Sequence, residues 1–143
     1  MPSPGVKARI ERFWRAIERL KTLTSKELDE FIMDEDSIDA TERNLQVAIE
    51  AVIDIGEALI SYMGWRTPKS YRDIGVILRE RGVFDNRMLE ELWRFTALRN
   101  ILVHNYTHIA SKDIHTLAKS VGESLIRIMN RLIEYMDEAG IDP

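Results

Sequence analysis

The chain has 143 residues, which is room for one domain with a single filled core and too little for two ordinary catalytic domains. With 45% hydrophobic and 31% charged residues it lies within the globular range, away from disordered or low-complexity composition. A formal net charge of −4 excludes a broadly basic coat for nucleic acid, and the absence of Cys excludes disulfides, thiolate metal sites and cysteine nucleophiles, in keeping with a reducing cytoplasm.

The first five residues, with two Pro and one Gly, read as a flexible lead into one domain spanning 1–143. Lys7, Arg9, Glu11 and Arg12 fall where a signal peptide needs an apolar run, and no stretch approaches the roughly 20 apolar residues of a membrane span. The expectation is a cytoplasmic protein that is neither exported nor embedded. From Val6 to Leu23, Ile10, Phe13, Trp14, Ile17 and Leu20 make one amphipathic helical stripe. Thr24 or Ser25 can cap a short acidic second helix reaching about Met33. Thr41 to Met63 carries two stripes side by side, Leu45, Ala48, Val52, Ile55 and Leu59 beside Ile49, Ile53 and Ile60. A helix apolar on more than one face is central to a bundle or buried in an interface.

Gly64 stops that helix, and Pro68 suits the first turn of the next, defined by Tyr71, Ile74, Ile77 and Leu78 and closed by Gly82. Asp85 or Asn86 caps a further helix, with Met88, Leu89, Leu92, Trp93, Phe95 and Leu98 facing inward, that continues through His104. Ser111 is expected to cap the last helix, whose stripe runs from Ile114 to Tyr135 before Gly140. No segment alternates with period two. The fold class is therefore all-α, an up-and-down bundle of about five helices with short connections.

Charge is unevenly spread. Residues 26–42 hold eight acids against Lys26 alone, a net of −7, whereas residues 66–99 hold eight bases against five acids, a net of +3. Such blocks are usually solvated faces, but they can also attract different partners. The arginine-rich segment, running into Arg99, promises the local positive potential that RNA binding needs, and the acidic block could meet a basic partner.

All three histidines lie between residues 104 and 115. His104 and His108 have the four-residue spacing of two imidazoles sharing a metal, but Asn105 stands where a zinc protease helix carries Glu, so neither metal nor cofactor is expected. The stronger arrangement is Arg99-Asn100, three apolar residues, then His104-Asn105-Tyr106. On an ideal helix Arg99 and Tyr106 share one face while Asn100 and His104 share another. An arginine that forks onto a phosphate, near a histidine titrating around neutrality, suffices for metal-free RNA cleavage with the 2′-hydroxyl as nucleophile. Glu50, Asp54 and Glu57 form another polar line. Asp54, between Ile53 and Ile55, is expected to be the most buried of the three and to pair with an arginine, for instance Arg99.

The string Leu98 to Tyr106 resembles the R-x4-H-x-Y signature of HepT-like toxins in the HEPN (higher eukaryotes and prokaryotes nucleotide-binding) superfamily. Two more blocks resemble that family: Glu42 to Gly56, and Pro68 with Tyr71, Ile74, Leu78 and Gly82. The resemblance implies a dimeric endoribonuclease acting as the toxin of a type VII toxin–antitoxin pair. Its partner would be a minimal nucleotidyltransferase of the MntA type, which silences the toxin by adding AMP to the motif tyrosine and could join it in a higher assembly. Carried over, Arg99 would hold the scissile phosphate, His104 would be general acid or base, Asn100 would orient substrate or histidine, and Tyr106 would accept AMP. Much of the dimer interface is expected on the 41–63 helix. Many relatives carry acids where this chain has Asn105 and Ala110; Asp113 could partly replace the second. The alternative is a non-catalytic HEPN module that binds nucleotide or a protein partner.

Overall fold

The structure is a computed structural model that describes residues 5–104 and 109–141. It contains six helices among the described residues, each matching one of the helical segments read in chain order, against the overall figure of about five: α1 (Val6–Thr24), α2 (Leu28–Ile32), α3 (Glu35–Tyr62), α4 (Tyr71–Glu80), α5 (Asn86–His104) and α6 (Ser111–Glu138). No strand is present among the described residues, and no helix there is long and apolar enough to cross a membrane.

α3 is the central post and packs against the five other helices. Both of its apolar stripes are consumed inside the chain, because Leu45, Ile49, Val52, Ile53, Ile55, Leu59 and Ile60 are all buried. The apolar width that suggested a dimer interface on this helix is thus that of a core helix. Phe13, Ile17 and Leu20 of α1 close one side of the core, and Leu125, Ile128, Met129 and Leu132 of α6 close another. Burying each such large side chain is worth about 1.5–3 kcal/mol.

Local chemistry sets the helix ends, and several differ from expectation. Thr24 and Ser25 do not cap α2; their hydroxyls donate back to the carbonyls of Leu20 and Thr22, closing α1 instead. α3 begins at Glu35, upstream of Thr41. There Asp34 accepts from the Ser37 hydroxyl at 2.7 Å and from Lys26 Nζ at 3.1 Å, so a side-chain network ties the start of α3 to the α1–α2 link. α4 is capped by Ser70, whose hydroxyl accepts from the Asp73 amide, and Pro68 lies before the helix rather than in its first turn. Asp85 caps α5 by accepting from the Met88 amide. α6 starts at Ser111 itself, with Ala110 at the cap position. Gly64 and Gly82 take left-handed φ of 68° and 75°, so that Trp65 and Val83 donate back to Ile60 and Leu78.

Close approach fixes the α3–α4–α5 layer that carries the motif helix. A Cβ on Gly56 would sit 3.3 Å from Ile74 and Leu78, and one on Gly75 would come within 2.7 Å of Leu89 Cδ1. His115 is a packing residue: it is buried, Nε2 lies 3.0 Å from the Lys26 carbonyl, and its ring meets Phe31 edge-on at 4.9 Å. Arg131 of α6 donates to the Val83 and Gly82 carbonyls and so clamps the α4–α5 turn.

Candidate active site

The motif occupies the last turns of α5. Leu92 and Phe95 bury the inner face of that helix, and Leu98 and Leu102 pack partly against the core, which turns Asn100 and His104 outward as exposed residues. A buried carboxylate anchors the helix two turns earlier. Glu91 is only 5% exposed, takes the guanidinium of Arg127 on α6, and lies 3.6 Å from Arg87. Its Oε1 is buried without a hydrogen bond, so the pair with Arg127 carries the compensation for desolvation. Nothing in the helical pattern marked this glutamate as interior, since its neighbours on α6 belong to the tertiary structure.

Arg99 is the centre of the polar site. Its Nε donates to Glu50 Oε1 of α3 at 3.3 Å, and its Nη1 donates to Asn100 Oδ1 at 3.2 Å. Gln46, one turn before Glu50, donates to the same carboxylate oxygen at 3.0 Å. The guanidinium also lies 5.7 Å from the ring of Tyr71 at the start of α4, within reach of a cation–π contact. Three helices thus hold one arginine in place. Nη2 makes no hydrogen bond among the described residues, which leaves one edge of the fork for an anion.

Arg99, Asn100 and Glu50 are brought together as a cluster, and His104 follows one turn on from Asn100 along the same helix. The arginine partner is Glu50, not Asp54: Asp54 is exposed, and Glu50, with a side chain 36% exposed, makes the ion pair. The expectation failed because the buried isoleucines at 53 and 55 stand about 100° round α3 on either side of Asp54 and leave its own direction to solvent. Desolvation raises the Asp54 carboxyl above its ordinary pKa, with Arg9 opposing and Glu50 adding to the rise. Glu57 is exposed. Tyr106, the expected AMP acceptor, lies outside the described residues, as do Asn105 and His108. Asp113 sits exposed in the first turn of α6.

Gln46 and Tyr71 were not read from sequence as site residues. The i, i+4 spacing of Gln46 and Glu50 on one helix could have found the first; nothing but the packing of α4 on α5 brings Tyr71 to Arg99.

The family model for "Ribonuclease HepT-like" proteins matches residues 14–132. A protein of Archaeoglobus fulgidus whose RNase designation is provisional is 26% identical over 130 residues, 91% of this chain and 97% of its own length. The tRNA nuclease HepT of Aphanizomenon flos-aquae is 26% identical over 111 residues, covering 76% of this chain and 74% of that protein. Among solved structures, a tri-AMPylated Shewanella oneidensis HEPN toxin in complex with its MNT antitoxin superposes with a TM-score of 0.83 at 22% identity, over 92% of this chain and 98% of that one, and shows the shared fold. The match over nearly the whole bundle, with the Arg99-to-His104 spacing on its fifth helix, makes this chain a member of the HepT-like family.

Proposed function

We propose that this chain is the toxin of a toxin–antitoxin pair, a metal-independent endoribonuclease whose site is Arg99, Asn100 and His104, neutralised by AMPylation of Tyr106. The observation that carries the reading is the built position of Arg99: fixed by Glu50 and Asn100, with Nη2 free of hydrogen bonds among the described residues, and followed further along the same helix by an exposed histidine. In that arrangement Arg99 takes a non-bridging oxygen of the scissile phosphate and stabilises the charge that grows there. The 2′-oxygen forms a bond to phosphorus as the bond to the 5′-oxygen breaks, leaving a cyclic phosphate and a 5′-hydroxyl. One proton leaves the 2′-hydroxyl and one arrives at the 5′-oxygen; His104 handles one of these transfers. A homodimer that faces two motifs across one cleft would supply a second histidine for the other.

Asn100, which accepts from Arg99, orients the guanidinium and offers its own amide to substrate. Glu50 neutralises Arg99 until phosphate replaces it. A cognate nucleotidyltransferase of the MntA type would transfer AMP from ATP to the Tyr106 hydroxyl, forming a bond from oxygen to the α-phosphorus as pyrophosphate and the phenolic proton leave, and the added phosphate would compete for Arg99 and close the site to RNA.

The experiment is cleavage of total RNA by purified chain in the presence of a chelator, with His104→Ala and Arg99→Ala as controls and intact mass after co-expression with the neighbouring nucleotidyltransferase. Cleavage lost in both variants, and a mass gain in AMP steps that Tyr106→Phe abolishes, are the expected results. Modification at Tyr106 of a protein that cuts no RNA with His104 intact would replace this reading with the non-catalytic one.

A further inference from the structure

Away from the motif helix, α1 and α3 enclose a cavity of about 500 Å³ between them. Four arginines line it: Arg12, Arg15 and Arg19 from α1 and Arg43 from α3, above a small floor of Ala16, Val47 and Asn44, whose amide donates to the Ala40 carbonyl. All four are exposed, and none makes an ion pair or side-chain hydrogen bond among the described residues. Four uncompensated guanidinium groups converging on one concavity repel each other, and nothing in the fold requires them there. The arginines of α1 follow one another at about one turn, roughly 4.5 and 6 Å of rise, along a single face. No aromatic side chain lines the cavity, so it has no platform for stacking bases; it has forks for phosphates.

The groove and the Arg99 site both draw on α3: Arg43 lines the first, and Glu50 holds the arginine of the second. Arg19 and Arg43 line the same cavity, whereas Arg9 acts on Asp54, so the two helices run antiparallel and the earlier arginines of α1 lie nearer the level of Glu50 on α3. Arg43 and Glu50 are seven residues apart and share a face of α3, which puts Arg43 about 10.5 Å along the axis from the residue that holds Arg99.

We propose that this four-arginine groove is a second anchor for single-stranded RNA, taking backbone phosphates of the strand that flanks the bond addressed by Arg99 and His104. The role deepens the ribonuclease reading and rests on it for the identity of the polyanion. The groove reads backbone, so it contributes affinity and register but no sequence preference.

The test uses the full chain carrying His104→Ala, so that RNA is bound without being cut, and a fluorescein-labelled single-stranded oligoribonucleotide followed by anisotropy over a salt series. Adding Arg15→Gln, Arg19→Gln and Arg43→Gln should weaken binding by about tenfold or more, and flatten the slope of log K against log salt by about 0.7 for each phosphate that is no longer neutralised. A control variant that replaces the exposed cations Arg94, Lys112 and Lys119, outside the groove, should move both far less. Unchanged affinity and slope in the groove variant, or an equal weakening in the control, overturns the proposal. So does a groove variant that binds RNA normally but no longer retains the nucleotidyltransferase, which would assign the arginines to an acidic protein surface. Cleavage is scored separately with His104 intact. RNA bound through the groove but never cut upholds the groove and defeats the ribonuclease reading. RNA cut by a chain whose groove variant binds it normally does the reverse.

Discussion

Two arginine-bearing regions of this molecule behave in opposite ways. In the segment 66–99, which carries the net positive charge along the sequence, the arginines are engaged. Arg66 bridges Asp73 and Glu80, Arg72 stacks 3.8 Å from the Trp93 ring, Arg79 donates to Asn86, Arg87 reaches Glu91, and Arg99 pairs with Glu50. In the α1–α3 groove four arginines have no such partner among the described residues. Counting charges along the chain therefore did not tell which arginines are paired and which are not. Field depends on what each guanidinium faces after folding, and a paired arginine holds structure while an unpaired one is available to a ligand.

The largest effect should come from the one arginine that belongs to both classes, paired yet open on one edge. His104→Ala and Arg99→Ala should each lower RNA cleavage by about 10²–10⁴-fold with unchanged helical circular dichroism; activity within tenfold of the parent would break the assignment. Next, Arg127→Ala should destabilise the fold by about 2 kcal/mol in urea denaturation, because it strands the buried Glu91, and Glu91→Gln in the same chain should recover part of that loss. Arg19→Ala in the groove should stay within about 0.5 kcal/mol in the same measurement. Equal losses for the two would erase the distinction between structural and available arginines.

Smaller effects sharpen it further. Glu50→Gln should cost no more than about 1 kcal/mol of stability, since the pair is partly solvated, and should tighten binding of inorganic phosphate to the motif. Weaker phosphate binding would mean that Glu50 positions Arg99 more than it neutralises it. The acidic block should respond least. Hydrogen bonds from Ser37 and Lys26 lower the Asp34 carboxyl from 3.8 to about 2. A depressed folded pKa gives stabilisation that is complete above the ordinary carboxylate value and lost as pH falls through about 2. Wild type should therefore exceed Asp34→Asn in thermal stability at neutral pH, and the gap should close between pH 4 and 2; a gap that persists at the acid end would contradict the network.

Much of the bundle was legible because short-range physics sets it. The stripe of α1, the Asp85 cap of α5 and the glycine stops at Gly64 and Gly82 follow from periodicity and local hydrogen bonding, and each is found where the pattern put it. The misses share one cause. Thr24 and Ser25 could as well bond backward as forward, and the choice depends on where α1 ends against α6. Glu50 and Asp54 stand one turn apart on one helix, and only the position of α5 decides which of them meets Arg99.

By itself the sequence determined an all-helical chain, the Arg99-to-His104 spacing and the family to which these belong, because periodicity, caps and motif spacing are properties of residues close together along the chain. Only the tertiary structure decided that both stripes of α3 are spent inside the bundle, that Glu50 holds Arg99, and that Arg12, Arg15, Arg19 and Arg43 share one cavity. These depend on contacts between helices far apart in sequence, where burial and charge pairing are settled by packing rather than by any residue's neighbours along the chain.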